Sequence, residues 1–128
     1  MSDHAIENAR GHLAEIVAES KAIEADSDAT DEHGESLLEC WQCRPLDVSV
    51  RTDWYNPYDP NQTPTPAEYQ ILLTTGGPGL RIYGELADGE PQTAILEWQD
   101  WAVPWTRLEA SDEEQAALLH FAQQFPIT

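Results

Sequence analysis

The sequence predicts an α+β fold: a four-stranded antiparallel meander with two N-terminal helices and one C-terminal helix on one face. Three observations carry that expectation. Apolar residues recur at helical spacing over 5–24, the period drops to two at residue 46, and three β-like runs joined by turn residues precede a final helical stretch.

In the first helix, Ile6, Ala9, Leu13, Ile16, Val17 and Ser20 form a stripe, while Glu7, Glu15 and Glu19 project from the opposite side. This is the pattern of a surface helix with an acidic outer face. The stretch 25–34, ADSDATDEHG, has no periodicity and four acids, so it is expected to be a charged loop. Ser36 and Glu39 make a capping-box pattern, and Leu37, Leu38 and Trp41 give a short helix that Pro45 stops.

From Leu46, the apolar Leu46, Val48 and Val50 alternate with Asp47, Ser49 and Arg51, which predicts a half-buried strand running toward Trp54. The segment NPYDPNQTPTP has four prolines in eleven residues and is expected to be an extended, partly polyproline loop within the domain. Residues 69–75, 80–86 and 92–99 are the remaining strands, separated by GGPG and ADGEP. Trp101 and Trp105 are expected to pack around the bend that follows. Ser111 and Glu114 form a second capping box, opening a helix through Leu118, Phe121, Ala122 and Phe125 that Pro126 ends.

At 128 residues and 41% hydrophobic content, one core and one domain are expected, with an acidic helical part over 1–44 and the sheet plus C-terminal helix over 45–128. Five tryptophans argue against disorder, because disordered acidic segments are poor in aromatics. The apolar runs are short, and no basic start precedes an apolar stretch, so a cytoplasmic protein without a membrane span is expected.

Charge is the feature that bears on partners. The chain has 24 Asp and Glu against 6 Lys and Arg, a formal net of −18. Residues 1–39 hold eleven acids against Arg10 and Lys21, so the N-terminal third is more than twice as charge-dense as the rest. Such an imbalance attracts cationic partners and opposes direct contact with nucleic acid.

Signals for chemistry are weak. The Cys40-x-x-Cys43 spacing fits a redox pair, half a zinc site or one helix face. With only His33 nearby as a further ligand, two reduced core-side cysteines are expected. The Gly76-Gly77-Pro78-Gly79 loop lacks the Lys and Ser or Thr of a phosphate loop and leads into a strand, so it is expected to be a hairpin turn. His4, His12, His33 and His120 share no metal spacing. Glu85 and Glu97 on neighbouring strands, with Trp98 and Trp101, would suit a hydrolase or a carbohydrate groove. Packing of a small sheet accounts for the same aromatics. Neither catalysis nor a cofactor or metal is expected.

The block Asp100-Trp101-Ala102-Val103-Pro104-Trp105-Thr106, with ILLTTGGPGLRIYGEL over 71–86, resembles a group of small acidic proteins carried by phages, plasmids and integrated elements. Their pattern is a Gly-Gly-Pro hairpin followed by a tryptophan, proline, tryptophan block, and it covers about residues 45–126. The resemblance implies a mobile-element setting among anti-defence proteins such as anti-CRISPR and anti-restriction inhibitors. It supplies no catalytic motif, and the acidic N-terminal region lies outside it.

Charge and resemblance together suggest an inhibitor that presents carboxylates where phosphates would sit on a basic nucleic-acid-binding protein of the host. Duplex DNA carries a charge per ~1.7 Å of axis, and carboxylates four residues apart on a helix are ~6 Å apart along it. The expected contact residues are Glu15 and Glu19 on the helix and Glu24, Asp26, Asp28, Asp31, Glu32 and Glu35 leading into the loop. A rival account is salt adaptation, which exchanges Lys for acids. It suits the single Lys against five Arg and would spread charge evenly over the surface.

Overall fold

The computed structural model describes residues 2–75 and 78–125. In chain order the elements are α1 (Ser2–Ala25), α2 (Leu37–Cys43), β1 (Asp47–Thr52), β2 (Pro66–Thr74), β3 (Gly79–Ala87), β4 (Glu90–Pro91), β5 (Ile95–Gln99), β6 (Thr106–Arg107) and α3 (Asp112–Ala122). The architecture is α+β with three helices and an antiparallel sheet in the order β1-β2-β3-β5-β6, β4 pairing the end of β3. Six strands replace the expected four.

The extra strands have a local cause. Asp88 and Gly89, both at positive φ, turn the chain between the paired residues Ala87 and Glu90, as a two-residue hairpin of the Asp-Gly type requires. From Leu86↔Pro91, regular pairing would put Tyr83 opposite Ala94. It lies opposite Ile95 instead, one residue further on. That extra residue is a β-bulge, and it splits the 92–99 run into a loop and β5. The sequence pattern also missed β6, whose Arg107 and Thr106 pair with Glu97 and Trp98.

The core lies between the sheet and the helices. Tyr69, Ile71 and Leu73 of β2, Leu80 and Ile82 of β3, and Leu96 and Trp98 of β5 are buried on one sheet face, with Leu13 and Ile16 of α1 and Leu118 and Phe121 of α3. Trp41 of α2 is fully buried, edge-on to Phe121 and His120 at 5.1 Å. Ser111 accepts from the Glu114 amide while Glu114 bonds back, so the expected capping box opens α3. At α2 only the forward half forms, Ser36 accepting from Glu39 at 3.5 Å.

Three expectations about burial fail, each for its own local reason. α1 and α3 pack over β5, leaving β1 bare. Val48 and Val50 pair with Ile71 and Tyr69, hence share the helix-side face, yet all six residues of β1 are exposed rather than half-buried. Trp101 is 88% exposed on a turn that Ala102 completes at φ 61°, whereas Trp105 is half-buried against Arg81. Cys40 is half-buried and Cys43 exposed. Leu37 and Trp41, four residues apart, take the inner face of α2 and turn the cysteines outward. Gly76, Gly77 and Pro126 lie outside the described residues, and with them the expected turn at Gly76–Gly79; β2 and β3 on either side of it pair antiparallel.

Candidate functional site

The acidic candidates divide into two sets. Glu15 and Glu19 stand on the same side of α1, four residues apart, where α2 brings Arg44 across to them. The Arg44 guanidinium reaches Glu15 at 2.8 Å and Glu19 at 3.3 Å, and Glu19 also accepts from the Trp41 indole at 3.3 Å. Arg44 further donates to His12 Nδ1 at 2.7 Å, which requires that nitrogen to be unprotonated. Burial, then the Arg44 charge, push the His12 pKa down, with Glu15 opposing. These two carboxylates are structural anchors as well as surface charge. Arg44 was the residue that sequence reasoning left out; its place three residues beyond Trp41 was the available signal.

Glu24, Asp26, Asp28, Asp31, Glu32 and Glu35 form the second set, at the end of α1 and along the loop to α2. None of them pairs with a Lys or Arg among the described residues: Arg10, Lys21, Arg44, Arg51 and Arg81 engage other glutamates, and Arg107 stands away on β6. Histidine contacts are long: Glu24 lies 3.9 Å from His120, itself bonded to Ser20 at 2.8 Å, and Glu32 lies 3.4 Å from His33. All but Asp31 are exposed.

The loop is built rigidly. Asp26 accepts from the Asp28 amide at 2.9 Å, and Asp31 accepts from the amides of His33 at 2.8 Å and Glu35 at 2.9 Å. The Glu35 amide, then that of His33, hold the Asp31 carboxyl below its ordinary range. Gly34 turns the chain at φ 81°, Thr30 bridges Ser36, and Leu37 N–H closes onto Ala29 C=O at 3.0 Å. Short polar side chains bonding to amides two to four residues on are the usual way to fix such turns.

The ligand atoms of Asp31, Glu35 and Cys40 lie within 4.8 Å of one another, so His33 is not part of that group. The Cys40 thiol points at both carboxylates at 3.9 Å, and burial, then the charges of Asp31 and Glu35, push its pKa up. A thiol kept protonated is a poor nucleophile and a poor metal ligand.

The uncovered sheet face is a polar network. Arg81 bonds Glu97 and Gln70 at 2.7 and 2.6 Å and lies 4.4 Å from the Trp105 ring and 5.4 Å from Tyr83. Arg51 and Tyr83 both bond Glu68. Glu97 is thereby committed to Arg81, and Glu85 stands further along the open face beside the bulge, its amide bonded to Thr93 Oγ1 at 2.9 Å. Trp98 is buried on the opposite face, so it does not join Glu85 and Glu97 in a groove. His4 is exposed at the start of α1. Among the described residues, no helix is long and apolar enough to cross a membrane. No protein-family model, no curated protein and no solved structure matches the chain.

Proposed function

We propose that this protein is an acidic inhibitor of mobile-element origin that occupies the nucleic-acid-binding surface of a basic host protein, in the manner of an anti-CRISPR or anti-restriction factor. The single observation that supports this most is the ordered 24–35 segment, where Glu24, Asp26, Asp28, Glu32 and Glu35 are exposed and have no Lys or Arg partner among the described residues. A loop already fixed by its own hydrogen bonds loses little entropy on docking, and its charges speed association with a basic groove. Glu15 and Glu19 flank it from α1 and contribute less, being partly neutralised by Arg44. The protein acts without catalysis, metal or cofactor, in the cytoplasm, and does not itself bind DNA or RNA.

Displacement provides the test. Host proteins retained on immobilised duplex DNA should be released by this chain at concentrations where polyglutamate of equal total charge releases none. A variant with Glu24, Asp26, Asp28, Glu32 and Glu35 changed to their amides should lose that release, and the loss should be greatest at low salt. Equal release by the variant, or a mobility shift of the duplex by the protein alone, would reject the mimicry reading. The first result leaves salt adaptation as the account of the charge.

A further inference from the structure

We infer that β1 is a self-association edge, on which a second copy of this chain adds antiparallel with the two-fold axis at Ser49. The sheet has two edges, and they differ. β6 is two residues long and follows Pro104, both of which blunt an edge. β1 is six residues long, pairs with β2 alone, carries no Lys or Pro, and exposes Val48 and Val50 at 38% and 47%. The register shift between Arg51 and Thr52 ends the regular stretch, leaving Asp47 to Arg51 with Ser49 at its centre.

Backbone direction limits the register. In an antiparallel ladder a residue's N–H and C=O point to the same neighbour and alternate along the strand. Leu96 C=O accepts from Leu108 N–H on the β6 side, so odd residues of β5 face β3. Carried through Tyr83↔Ile95, Ile71↔Ile82 and Ser49↔Gln70, the alternation leaves Val48 and Val50 directing theirs at the free edge. Two copies must therefore pair outward residue with outward residue.

Five such registers are centred in this stretch, and of these the axes at Asp47 and Arg51 set each charged residue against itself. An axis at Val50 sets Asp47 against the other copy's Asp53. An axis at Val48 sets Asp47 against Ser49. Only the axis at Ser49 sets Asp47 opposite Arg51 twice over, on the open face, while Val48 meets Val50 twice on the helix-side face. Opposite charges and β-branched pairs directly across a ladder are favourable, and like charges are not. Arg51, already bonded to Glu68 and 70% exposed in its side chain, is placed to reach a second carboxylate. The same register carries the loop bearing the fully exposed Trp54 toward Leu46 of the other copy, itself 62% exposed. The interface is isologous and closes at two.

Charge sets the conditions. Each copy bears a net −18, so the pair repels itself at low salt. Shortening the screening length from ~10 Å at 0.1 M to ~3 Å at 1 M removes most of that opposition. Self-association thus strengthens with salt, the reverse of binding to a basic protein.

Sedimentation velocity over a salt series is the first measurement, with the mass expected to move from 14.3 kDa toward twice that value. Val48→Lys should hold the chain monomeric, with at least about a tenfold loss of dimer, while its circular dichroism stays unchanged. The second measurement fixes the register in a Cys40→Ser, Cys43→Ser background. Ser49 would face itself across a non-hydrogen-bonded pair at ~4.5 Å between Cα atoms, inside the ~4.4–6.8 Å range of disulfides. Ser49→Cys should therefore cross-link at least about tenfold faster than Val50→Cys. A monomer at every salt concentration overturns the inference, and so do equal cross-linking rates. A chain that stays monomeric yet loses a foreign partner through Val48→Lys also overturns it, in favour of a strand from another protein.

Discussion

Tyr69 lies directly opposite Gly84 in the β2–β3 ladder, and its phenol reaches past the glycine to donate to the Thr93 carbonyl at 2.6 Å. The two residues form one device. The bulge after β4 brings the Thr93 backbone over position 84, where an added Cβ would stand 2.0 Å from the Thr93 oxygen and 2.8 Å from the Tyr69 ring. Burial pushes the Tyr69 pKa well up, so the phenol remains a donor.

Gly84→Ala should accordingly destabilise strongly, because backbone rather than a flexible side chain must move. Overpacking of this kind costs ~1–3 kcal/mol, a fall of several degrees in melting temperature. Tyr69→Phe removes one hydrogen bond and should cost ~0.5–1.5 kcal/mol. Equal melting temperatures for Gly84→Ala and wild type would mean that the bulge is placed elsewhere.

Trp101 and Trp105, four residues apart in one tryptophan-rich block, should respond unequally to truncation. Trp101→Ala falls at an exposed turn and should change stability by less than ~0.5 kcal/mol. Trp105→Ala strips the ring from the Arg81 guanidinium, an interaction worth ~0.5–1 kcal/mol at partly exposed sites, and uncovers the wall beside Gly79, whose added Cβ would lie 3.2 Å from the indole. Thermal melts separate the two variants. A larger loss from Trp101→Ala would contradict the exposed position of its ring.

The sequence made the helices and the strand alternation legible because each depends on a local period: the α1 stripe, the Ser111 box and the Leu46–Val50 alternation were all visible. What covers a face was not, since that depends on where distant elements land. Val48 and Val50 have the pattern of a half-buried strand and fail to be buried because the helix layer that covers β2, β3 and β5 does not extend over β1. The bulge at Thr93 was hidden for a similar reason: an extra residue in a strand leaves no local trace, and Gly84, its partner in space, lies nine residues away. At the candidate site the loop acids were legible from composition. Their separation from Glu15 and Glu19 was not, because Arg44 reaches α1 through tertiary packing of Trp41.

His12 provides a pH dependence whose sign is fixed. Its folded pKa lies below the ordinary 6.5, owing first to burial and then to the Arg44 charge. The unfolded chain therefore binds the proton more readily, so stability rises with pH in that range. The contribution is complete above about 6.5 and is lost as pH falls through the depressed folded value. Chemical denaturation between pH 7.5 and pH 5 should show wild type losing more stability than His12→Asn. Parallel curves for the two proteins would remove His12 from the linkage.

The two sets of carboxylates should part company in stability as they do in structure. Glu19→Gln weakens the acceptor shared by the Arg44 guanidinium and the Trp41 indole, and Arg44, only 19% exposed in its side chain, then keeps Glu15 as its remaining carboxylate. Hydrogen bonds to charged groups contribute ~1.5–3 kcal/mol, so a melting temperature several degrees lower is expected. Glu24→Gln, Asp28→Asn and Glu32→Gln remove exposed charges that touch no Lys or Arg among the described residues, and relief of self-repulsion should leave the melting temperature equal or slightly higher. Added salt should narrow the gap between wild type and the three loop variants, because both effects then act on screened charge. Loop variants that melt as low as Glu19→Gln would show that those side chains hold the fold and are not available to a partner.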